Sequence, residues 1–573
     1  MVKFQKNQVL TLDVSETNMM GFGVAKIDGM VFFIQNGVEG DRCAVRIIKV
    51  AKNYCVARIE EILKPSPRRI EPVCKHFRRC GGCAFQHVSY EHEKELKRRS
   101  VAGFLQKEGL FDLSVSHVLS TECMEGYRNK AQFPVALDET GRVICSFYAP
   151  KTHKVCSLDE CSIQNPLFIP IAKRVCAFLT DHRVPVYCEE TGQGLVRHIY
   201  LRIAQSTGQM MLALVLSKND FPQTDAFVSW MTQAFPQISS ICFNIQPQKN
   251  NVILGKEVIH LYGDEKITDV FCNRKLMISP LSFYQVNHDA AELLYQTAFS
   301  MSDLCEFDRI IDLYCGIGSI SLSAEATCPI TGIEIIPEAV KDANENAKLN
   351  GVNSANYICG DATDAFRLIR ETNAKNPLLI LDPPRKGLHA DLIEEISRHF
   401  LQNVLYISCG PDTFARDLAL FKKQGYEISS VQPVDLFPRT AHVECIAFLT
   451  RKEAKHSMML NPRPYQMIKS GEKTIELRLW DEKRRNVKIG DRIVFTNNAT
   501  GESLISRVLN LHFFSDFDEL YSSLPLSKCG YTVDHLDRAS PRNMLQYYSI
   551  EMQKKYGVVG IELCEVTVEV NEN

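Results

Sequence analysis

The chain has 573 residues, more than one hydrophobic core usually organises, so we expect several domains. Its 45% hydrophobic and 23% charged residues are close to the globular average, which excludes a disordered chain, a fibrous repeat and a small disulfide scaffold. Because 66 basic residues face 68 acidic ones, any nucleic-acid surface must be a local patch and not a global field.

No stretch approaches the roughly 18 uncharged apolar residues of a membrane-spanning helix, and the charged N-terminus leaves no room for a signal-peptide core. We therefore expect a cytoplasmic protein without membrane contact. In a reducing compartment, 21 scattered cysteines indicate free thiols together with a metal site or a nucleophile, and disulfides are the weaker interpretation.

The N-terminal part, residues 1–63, alternates apolar and polar residues around turn signals, which predicts five short strands in a small β-barrel. Three prolines in KPSPRRIEP, residues 64–72, mark a linker. Between Lys64 and Arg99 ten basic residues face four acidic ones. This excess predicts either a phosphate-binding surface or a solvated helix face, and the sequence leaves both open.

Three further units follow in chain order. Residues 64–270 are expected to form a central β-rich domain. Residues 126–270 of it are predicted to be strands, and the clearest pair of strands is VRHIYLRIAQ and MMLALVL. In residues 271–452, apolar runs alternate with helical stretches from Arg309 to Leu449, the pattern of a mostly parallel α/β sheet. After a charged connector at 451–457, residues 457–573 predict a small unit with strands at KTIELRLW, DRIVF, LISRVLNLHF and VVGIELCEV.

A glycine turn follows the first strand of the predicted α/β sheet. In IIDLYCGIGSIS, residues 310–321, a buried strand ends at Gly316-x-Gly318 and a helix begins, so backbone N–H groups can approach a ligand closely. Glu334 ends the next strand, where its carboxylate could accept hydrogen bonds from ribose hydroxyls. Together these features suggest an adenosine-bearing cofactor, although a plain strand-to-helix turn remains the alternative.

Two more residues follow strands of the same sheet. Asp382 ends the strand in PLLILDPPRKG, and Cys409 ends the strand in NVLYISCGPDT. Ligands of open α/β sheets bind just outside the carboxyl ends of the strands. Asp382 and Cys409 should therefore flank the cofactor pocket.

Five motifs resemble the RNA uracil-5-methyltransferases, which use S-adenosylmethionine. They are FYQVN (283–287), DLYCGIGSISL, DPPRKG, YISCGP and AHVEC (441–445), in the order of that family. The resemblance covers roughly residues 1–450 and implies a Rossmann-like catalytic domain. It implies cofactor contacts, beside the Gly316–Gly318 turn, from Gln285, Tyr314, Glu334 and Asp382.

The same resemblance makes Cys409 the nucleophile and Glu444 the general base. A thiolate that adds to carbon 6 of uracil makes carbon 5 nucleophilic enough to take a methyl group, and a base must then remove the carbon 5 proton. A free cysteine has a pKa of about 8.5, so Cys409 needs help to ionise. Arg385, Lys386 and a backbone N–H are the candidates, and the sequence does not choose among them.

Cys74, Cys80 and Cys83 form a C-x5-C-x2-C motif that could hold a metal or a cluster and needs a fourth thiolate from Cys156 or Cys161. The family carries a four-cysteine [4Fe–4S] cluster, and ECSIQNP resembles the segment with its distant ligand, which implies Cys161. Zinc is the physical rival, because four thiolates also suit a tetrahedral ion. We expect the cluster to hold the basic segment and the barrel in place.

The two ends of the chain resemble RNA-binding modules. Residues 1–62 resemble a TRAM domain, in which Phe22, Phe32 and Phe33 are possible stacking platforms, although one of them should face the core. Arg128 and Lys130 could hold phosphates or be ordinary surface charges. Residues 457–573 resemble an ASCH domain, a small β-barrel associated with RNA binding.

Some ASCH proteins hydrolyse acetylated cytidine, and Lys473 aligns with their lysine. Glu476 stands where they have a threonine, which puts hydrolysis in doubt. The sequence thus predicts a multidomain enzyme, expected as a monomer without an obligate protein partner. It should make 5-methyluridine in structured RNA, with 23S ribosomal RNA as first and transfer RNA as second substrate. A non-catalytic RNA-binding iron–sulfur protein is the alternative.

Overall fold

The computed structural model describes residues 4–150, 152–362, 366, 374–399, 401–531 and 539–568. Within these residues the strands form five sheets, one of them a two-stranded ribbon. No helix of the described chain is long and apolar enough to cross a membrane.

The N-terminal unit is a six-stranded sheet in the order β1-β5-β6-β4-β3-β2. Its strands are β1 Val9–Asp13, β2 Glu16–Thr17, β3 Phe22–Ile27, β4 Met30–Gln35, β5 Arg42–Val50 and β6 Tyr54–Lys64. The five predicted strands are present, and the two-residue β2 is additional. Phe32 is fully buried against Phe4, whereas Phe22 and Phe33 keep part of their surface exposed. One of the three candidate stacking rings thus faces the core, as expected.

The basic segment after this sheet is mostly neutralised by ion pairs. Helix α1, Tyr90–Lys107, buries Lys97 completely between Glu93 and Asp435, each 2.8 Å from its Nζ atom. Arg69 is likewise paired with the buried Asp41, at 2.5 Å. Lys97 and Arg69 are therefore not accessible to a phosphate. Lys75, Arg78 and Arg79 stay exposed, so the structure leaves both interpretations of this segment open.

The central unit is a six-stranded sheet in the order β12-β11-β10-β9-β7-β8. Its strands are β7 Lys130–Leu137, β8 Val143–Cys145, β9 Val196–Ile203, β10 Met210–Leu216, β11 Ile238–Ile245 and β12 Glu257–Gly263. The predicted pair of strands is present as β9 and β10, and the two are antiparallel.

Two helices of the central unit depart from the prediction that residues 126–270 are strands. They are α2 Phe168–Asp181 and α3 Thr224–Ala234. Helix α2 buries Ile171, Val175 and Phe178, whose spacing of three to four residues is that of a helix. The spacing of the apolar residues, and not their number, therefore decides the structure of this segment.

The catalytic unit begins with a hairpin, β13 Ile267–Phe271 and β14 Arg274–Ile278, followed by helix α4, His288–Ser300. A seven-stranded sheet follows in the order β17-β16-β15-β18-β19-β21-β20. Its strands are β15 Arg309–Leu313, β16 Ile330–Glu334, β17 Ala355–Cys359, β18 Pro377–Leu381, β19 Asn403–Ser408, β20 Glu427–Val434 and β21 Glu444–Thr450.

The first five strands of this sheet, β15 to β19, are parallel, and β20 and β21 add an antiparallel edge. Helices flank them at α5 Ser319–Ser323, α6 Pro337–Leu349, α7 Ala390–Arg398 and α8 Pro411–Lys423. The mostly parallel α/β sheet is therefore confirmed. Its parallel strands place their carboxyl ends at one edge, where the candidate site lies.

The C-terminal unit is a five-stranded sheet in the order β22-β24-β25-β26-β23. Its strands are β22 Lys455–Leu460, β23 Ile475–Leu479, β24 Arg492–Asn497, β25 Ser503–Phe514 and β26 Val558–Val568. Its helices are α9 Pro462–Lys469, α10 Phe517–Ser523 and α11 Ile550–Tyr556. The charged connector predicted at 451–457 is wrong at its end, because residues 455–457 already pair with β24. The strand β22 begins with the polar residues KHS, which resemble a connector in sequence.

Candidate active site

Cys409 and Glu444 come together because β19 and β21 are antiparallel neighbours. Ser408, the last residue of β19, pairs with Cys445. Cys409, which follows β19, therefore lies beside Glu444, the first residue of β21. Glu444 is 4% exposed, whereas Cys409 keeps part of its surface open. Asp382 follows β18, the other neighbour of β19, so three strand ends bring these side chains to one edge.

The electrostatics of this trio oppose ionisation. Burial, with the neighbouring charge of Asp382, raises the pKa of Glu444 to about 8. Burial and the charge of the buried Asp312 raise the pKa of Asp382 to about 7. Burial, followed by the charges of Glu444 and Asp382, raises the pKa of the Cys409 thiol to about 11. In the free protein at neutral pH, Cys409 is therefore a thiol.

Arg385 opposes this trend. Its charge and the backbone N–H of Cys409 both lower the pKa of the thiol. Two of the three groups that were candidates for helping Cys409 to ionise therefore do so. Arg385 also lies 3.5 Å from the ring of His442, measured from Nη2 to Nε2. Burial and the charge of Arg385 lower the pKa of His442 to about 4, so the imidazole is neutral at physiological pH.

The backbone of the glycine turn is left-handed at three positions. Tyr314, Gly316 and Gly318 adopt left-handed φ values of 66°, 54° and 77°. A Cβ atom on Gly318 would lie 2.8 Å from the ring of Tyr357, whereas one on Gly316 would meet nothing within 4 Å. Gly318 is thus required by packing, and the space beside Gly316 stays open to a ligand.

Glu334 lies directly against this turn. Its carboxylate accepts hydrogen bonds from the backbone N–H of Gly316 at 3.2 Å and from that of Ile336 at 3.0 Å. The acidic end of β16 and the turn after β15 therefore form one continuous surface. This is the arrangement that the sequence predicted for an adenosine-bearing cofactor.

Gln285 reaches the site from the segment before α4. Its carbonyl accepts a hydrogen bond from Asn129 Nδ2 at 2.9 Å, and Asn287 Nδ2 donates to the carbonyl of Leu436 at 3.0 Å. The Gln285 side chain hydrogen-bonds to the buried Tyr295, whose pKa is raised by burial and also by the charge of Asp382. Gln285 and Asp382 thus both lie near the Tyr295 hydroxyl.

Sequence reasoning missed two groups at this edge. Asp312 in β15 is fully buried, which raises its pKa to about 7. His442 stands two residues before Glu444 and faces Arg385. The signal for Asp312 was available, because a carboxylate inside an apolar run is costly unless it has a role.

A cavity of about 140 Å³ lies in the cysteine segment, apart from the edge that holds Cys409. Four thiols line it, namely those of Cys74, Cys80, Cys83 and Cys161. Cys156 does not line the cavity, and its Sγ atom instead donates to the carbonyl of Arg79 at 3.3 Å. In the described ranges, no set of three or more His, Cys, Asp or Glu side chains is already arranged to hold a metal ion.

Two of the sulfur atoms around this cavity each accept a hydrogen bond from a nearby N–H group. The N–H of Gly82 donates to Cys80 Sγ at 3.4 Å, and Gln86 Nε2 donates to Cys83 Sγ at 3.7 Å. Burial, and to a smaller extent the charge of neighbouring thiolates that include Cys161, raises the pKa of Cys80 to about 11. Four converging thiols with N–H donors fit a group that binds thiolates.

Arg128 and Lys130 are half-buried. Arg128 lines the cysteine cavity and stands 5.9 Å from the ring centre of Phe437. Burial and the charges of Arg202 and Arg128 lower the pKa of Lys130 to about 7. Each residue keeps part of its surface exposed, so phosphate contacts and ordinary surface charges both stay open as interpretations.

Three family models match the chain. A TRAM domain matches residues 3–59, the family described as tRNA (Uracil-5-)-methyltransferase matches residues 248–452, and an ASCH domain matches residues 458–567. These matches cover the N-terminal sheet, the α/β sheet with the candidate site, and the C-terminal sheet.

Curated relatives carry the general name of RNA methyltransferases. An uncharacterized RNA methyltransferase of Clostridium tetani is 37% identical over 450 residues, which are 78% of this chain and 98% of that protein. One from Staphylococcus epidermidis is 34% identical over 79% of this chain and 100% of its own length. Among solved structures, the tRNA (uracil-54, C5)-methyltransferase of Pyrococcus abyssi, in complex with S-adenosyl-L-homocysteine, is similar at a TM-score of 0.62. It is 25% identical, and the match covers 77% of this chain and 99% of that one.

Proposed function

This chain belongs to the S-adenosylmethionine-dependent RNA uracil-5-methyltransferase family, and we propose that it methylates carbon 5 of a uridine in 23S ribosomal RNA. One observation carries the proposal. A partly open thiol, Cys409, lies beside a buried carboxylate, Glu444, at the edge that also holds the Gly316–Gly318 turn. A nucleophile and a base at a cofactor-type turn are what this reaction requires.

The cofactor would lie along the glycine turn. Glu334 would hold the ribose hydroxyls, Gln285 and Asp382 would face the reactive end, and Tyr314 would pack against the ligand. S-adenosylmethionine supplies an electrophilic methyl group on a positively charged sulfur. Because Asp382 is held at a pKa of about 7 by burial and by Asp312, a cation bound beside it would favour its ionised form.

In the first step, the Cys409 sulfur bonds to carbon 6 of uracil, and the electron pair of the 5,6 double bond moves into the ring carbonyl as an enolate. Carbon 5 would then take the methyl group as its bond to the sulfur of the cofactor breaks, which would release S-adenosylhomocysteine and leave an adduct that still carries the carbon 5 proton. Glu444 removes this proton, the double bond re-forms, and the thiolate leaves. The pKa of about 8 makes ionised Glu444 a stronger base than an ordinary carboxylate.

Cys409 would first lose its thiol proton to solvent, because part of its surface stays open. Arg385 lies where its charge stabilises the thiolate of Cys409, and His442 beside it is neutral and can accept a hydrogen bond. RNA that closes the site would exclude water and strengthen the effect of Arg385. The uridine must first leave its stack to reach Cys409, and the N-terminal TRAM sheet would hold the surrounding RNA during this step.

Transfer RNA is the second candidate substrate. It is favoured by the structural similarity to the tRNA (uracil-54, C5)-methyltransferase of Pyrococcus abyssi. Ribosomal RNA is favoured by the combination of a TRAM domain with the four-cysteine set, which resembles the ribosomal branch of the family. Sequencing of 5-methyluridine in both RNAs from a deletion strain decides between them. Loss at one 23S position supports the proposal, and loss confined to tRNA contradicts it.

We also propose that Cys74, Cys80, Cys83 and Cys161 hold a [4Fe–4S] cluster. Their shared cavity and the N–H donors at the sulfur atoms support a thiolate-bound group. Zinc is distinguished by metal analysis after anaerobic purification. About four iron and four sulfide per chain are expected for a cubane cluster, with loss in Cys161→Ser and retention in Cys156→Ser. One zinc per chain without sulfide would contradict the cluster.

The chain acts as a cytoplasmic monomer with divisions at 1–63, 64–270, 271–452 and 457–573, except that β13 starts the third unit at Ile267 and β22 starts the fourth at Lys455. A single scattering or ultracentrifugation measurement of the full chain tests the monomer, because a dimer would double the apparent mass of 64.9 kDa.

A further inference from the structure

A short segment, Gly126–Asn129, lies like a middle strand between the cysteine cavity and the proposed cofactor site. Arg128 forms a parallel bridge to Gln164 and an antiparallel bridge to Asn287. Gln164 lines the cysteine cavity, and Asn287 lies two residues after Gln285. The segment therefore connects two sites whose residues are far apart in sequence.

The bonds toward the cavity end on the two residues that follow Cys161. The N–H of Gly126 donates to the carbonyl of Ser162 at 2.7 Å, and the N–H of Arg128 donates to the carbonyl of Ile163 at 3.0 Å. Arg128 also lines the cavity itself. A group that fixes Cys161 thus also fixes the chain to which this segment is bonded.

The bonds toward the methyl-transfer edge end on two other parts of the chain. The N–H of Asn129 donates to the carbonyl of Val286 at 2.8 Å, and its Nδ2 donates to the carbonyl of Gln285 at 2.9 Å. The hydroxyl of Tyr127 donates at 2.9 Å to the carbonyl of Pro438, in the loop that precedes β21. The same segment thus holds both the proposed cofactor contact and the chain that leads to the proposed base.

Asn129 is buried, and its side chain is committed to Gln285. In the part of the chain that the structure describes, no donor reaches its Oδ1 atom, and its one side-chain hydrogen bond is that from Nδ2 to the Gln285 carbonyl. This bond fixes the backbone from which the Gln285 side chain extends to the buried Tyr295. A buried amide with a single bond is costly, so that bond indicates a role in placing Gln285.

We propose that Asn129 is a positioning residue that holds Gln285 toward the cofactor, and that the segment Gly126–Asn129 makes this position depend on the group bound by the four cysteines. The inference rests on the functions proposed for Gln285 and for the cysteines. A segment that is ordered before the cofactor arrives loses less conformational entropy on binding. Loading of the cysteine site should therefore strengthen cofactor binding, with no electron transferred.

A double-mutant cycle with S-adenosylhomocysteine as the probe tests the role of Asn129. Calorimetric titration compares the full wild-type chain with Asn129→Leu, Gln285→Ala and the double variant. Each single substitution should weaken binding by about threefold to tenfold, because each removes the effect of about one hydrogen bond. The double variant should bind like Gln285→Ala alone, since Asn129 acts through the side chain that is already missing.

Asn244→Leu is the matched control for a merely structural role. Asn244 is also buried and donates from Nδ2 to the carbonyl of Gly255 at 2.9 Å, in the central sheet. Its loss should lower the temperature of unfolding and leave the affinity for S-adenosylhomocysteine unchanged. Asn129→Ala, which removes the amide without adding bulk, repeats the cycle if Asn129→Leu does not fold.

Two results of the cycle overturn the positioning role. One is wild-type affinity in the Asn129 variants while Gln285→Ala binds weakly, and the other is a double variant whose losses multiply. If Gln285→Ala itself binds as tightly as the wild type, the proposed cofactor contact of Gln285 is wrong and the inference fails with it.

Hydrogen exchange in the peptide that contains Gly126–Asn129 tests the link to the cysteines. In the chain purified without oxygen, Cys161→Ser should speed this exchange by at least about tenfold and weaken S-adenosylhomocysteine binding by about threefold to tenfold. Cys156→Ser should change neither, because Cys156 does not line the cavity. The wild-type chain before and after removal of its metal by a chelator gives the same comparison without a substitution.

Equal exchange and equal affinity in the loaded and stripped chains would overturn the link. A wild-type chain that contains no metal would refute the cysteine proposal and the link together. The cycle on Asn129 and Gln285 is read separately, so failure at the cysteines is distinguished from failure at the cofactor contact.

Discussion

The carboxylate of Glu444 raises the pKa of the neighbouring Cys409 thiol, so the proposed base holds back the proposed nucleophile in the free protein. Both side chains stand where β19 and β21 meet, and burial alone already disfavours their charged forms. Their order of action follows from this relationship. Cys409 becomes reactive when the site binds its ligands, and Glu444 acts after the thiolate has been consumed in the adduct.

The first prediction concerns alkylation of Cys409 by iodoacetamide in the free protein. Because the pKa is about 11, the rate should rise about tenfold for each pH unit between 7 and 10. At pH 9, where Glu444 with its pKa of about 8 is ionised, Glu444→Gln should speed the reaction and Arg385→Met should slow it.

Mass spectrometry of the peptide that contains Cys409 provides the readout, and the exposed Cys305 in the same digest is the internal reference. Lys386→Met is the matched control for Arg385→Met and should change little. A rate that levels off below pH 8 would mean that the free protein already holds a thiolate, contrary to the account.

The second prediction compares two glycines of the same turn. Gly318→Ala places a Cβ atom 2.8 Å from the Tyr357 ring at a φ of 77°, which should cost about 2 to 5 kcal/mol. Gly316→Ala has a positive φ but open space, so about 1 to 2 kcal/mol is expected. Thermal unfolding, followed at the transition that S-adenosylhomocysteine shifts, checks the order. Equal losses of stability in the two variants would mean that the Tyr357 ring moves to make room for the Cβ atom of Gly318→Ala.

The third prediction concerns the buried charges that hold the segment before Glu444. Lys97→Met removes the cation that the buried Glu93 and Asp435 share and leaves Glu93 with Arg439 alone, 3.7 Å away, so we expect a loss of about 3 to 5 kcal/mol. Lys94→Met removes a cation of the same helix whose partner, Glu91, is largely exposed, and it should cost about 0 to 1 kcal/mol. Chemical denaturation of the two variants measures the difference, and similar midpoints would contradict the buried role of Lys97.

The sheet and the site edge could be predicted from the sequence because both depend on local signals. Apolar runs that end in Asp382 and Cys409 predict parallel strands with functional carboxyl ends. The side-by-side position of Cys409 and Glu444 could not be predicted in this way, since it depends on β21 entering the sheet antiparallel to β19. The family resemblance, and not strand patterning, named Glu444.

The basic segment shows the opposite case. Counting charges between Lys64 and Arg99 could not reveal that Lys97 is buried, because its partner Asp435 lies 338 residues further along the chain. Ion pairs across such distances are a property of tertiary packing. The helices α2 and α3 lie in a segment whose apolar content also suits strands. Only the spacing of the apolar residues distinguishes a helix from a strand there.

The most direct test of the central claim is a paired adduct assay with S-adenosylmethionine and substrate RNA. The proposed mechanism predicts that Glu444→Gln retains methyl transfer to carbon 5 but accumulates a protein–RNA adduct that survives denaturation, because the proton that must leave has lost its base. Turnover should fall by about 10²- to 10⁴-fold. Cys409→Ala should form no adduct and transfer no methyl group. An adduct in Cys409→Ala, or 5-methyluridine made at the normal rate by either variant, would contradict the account.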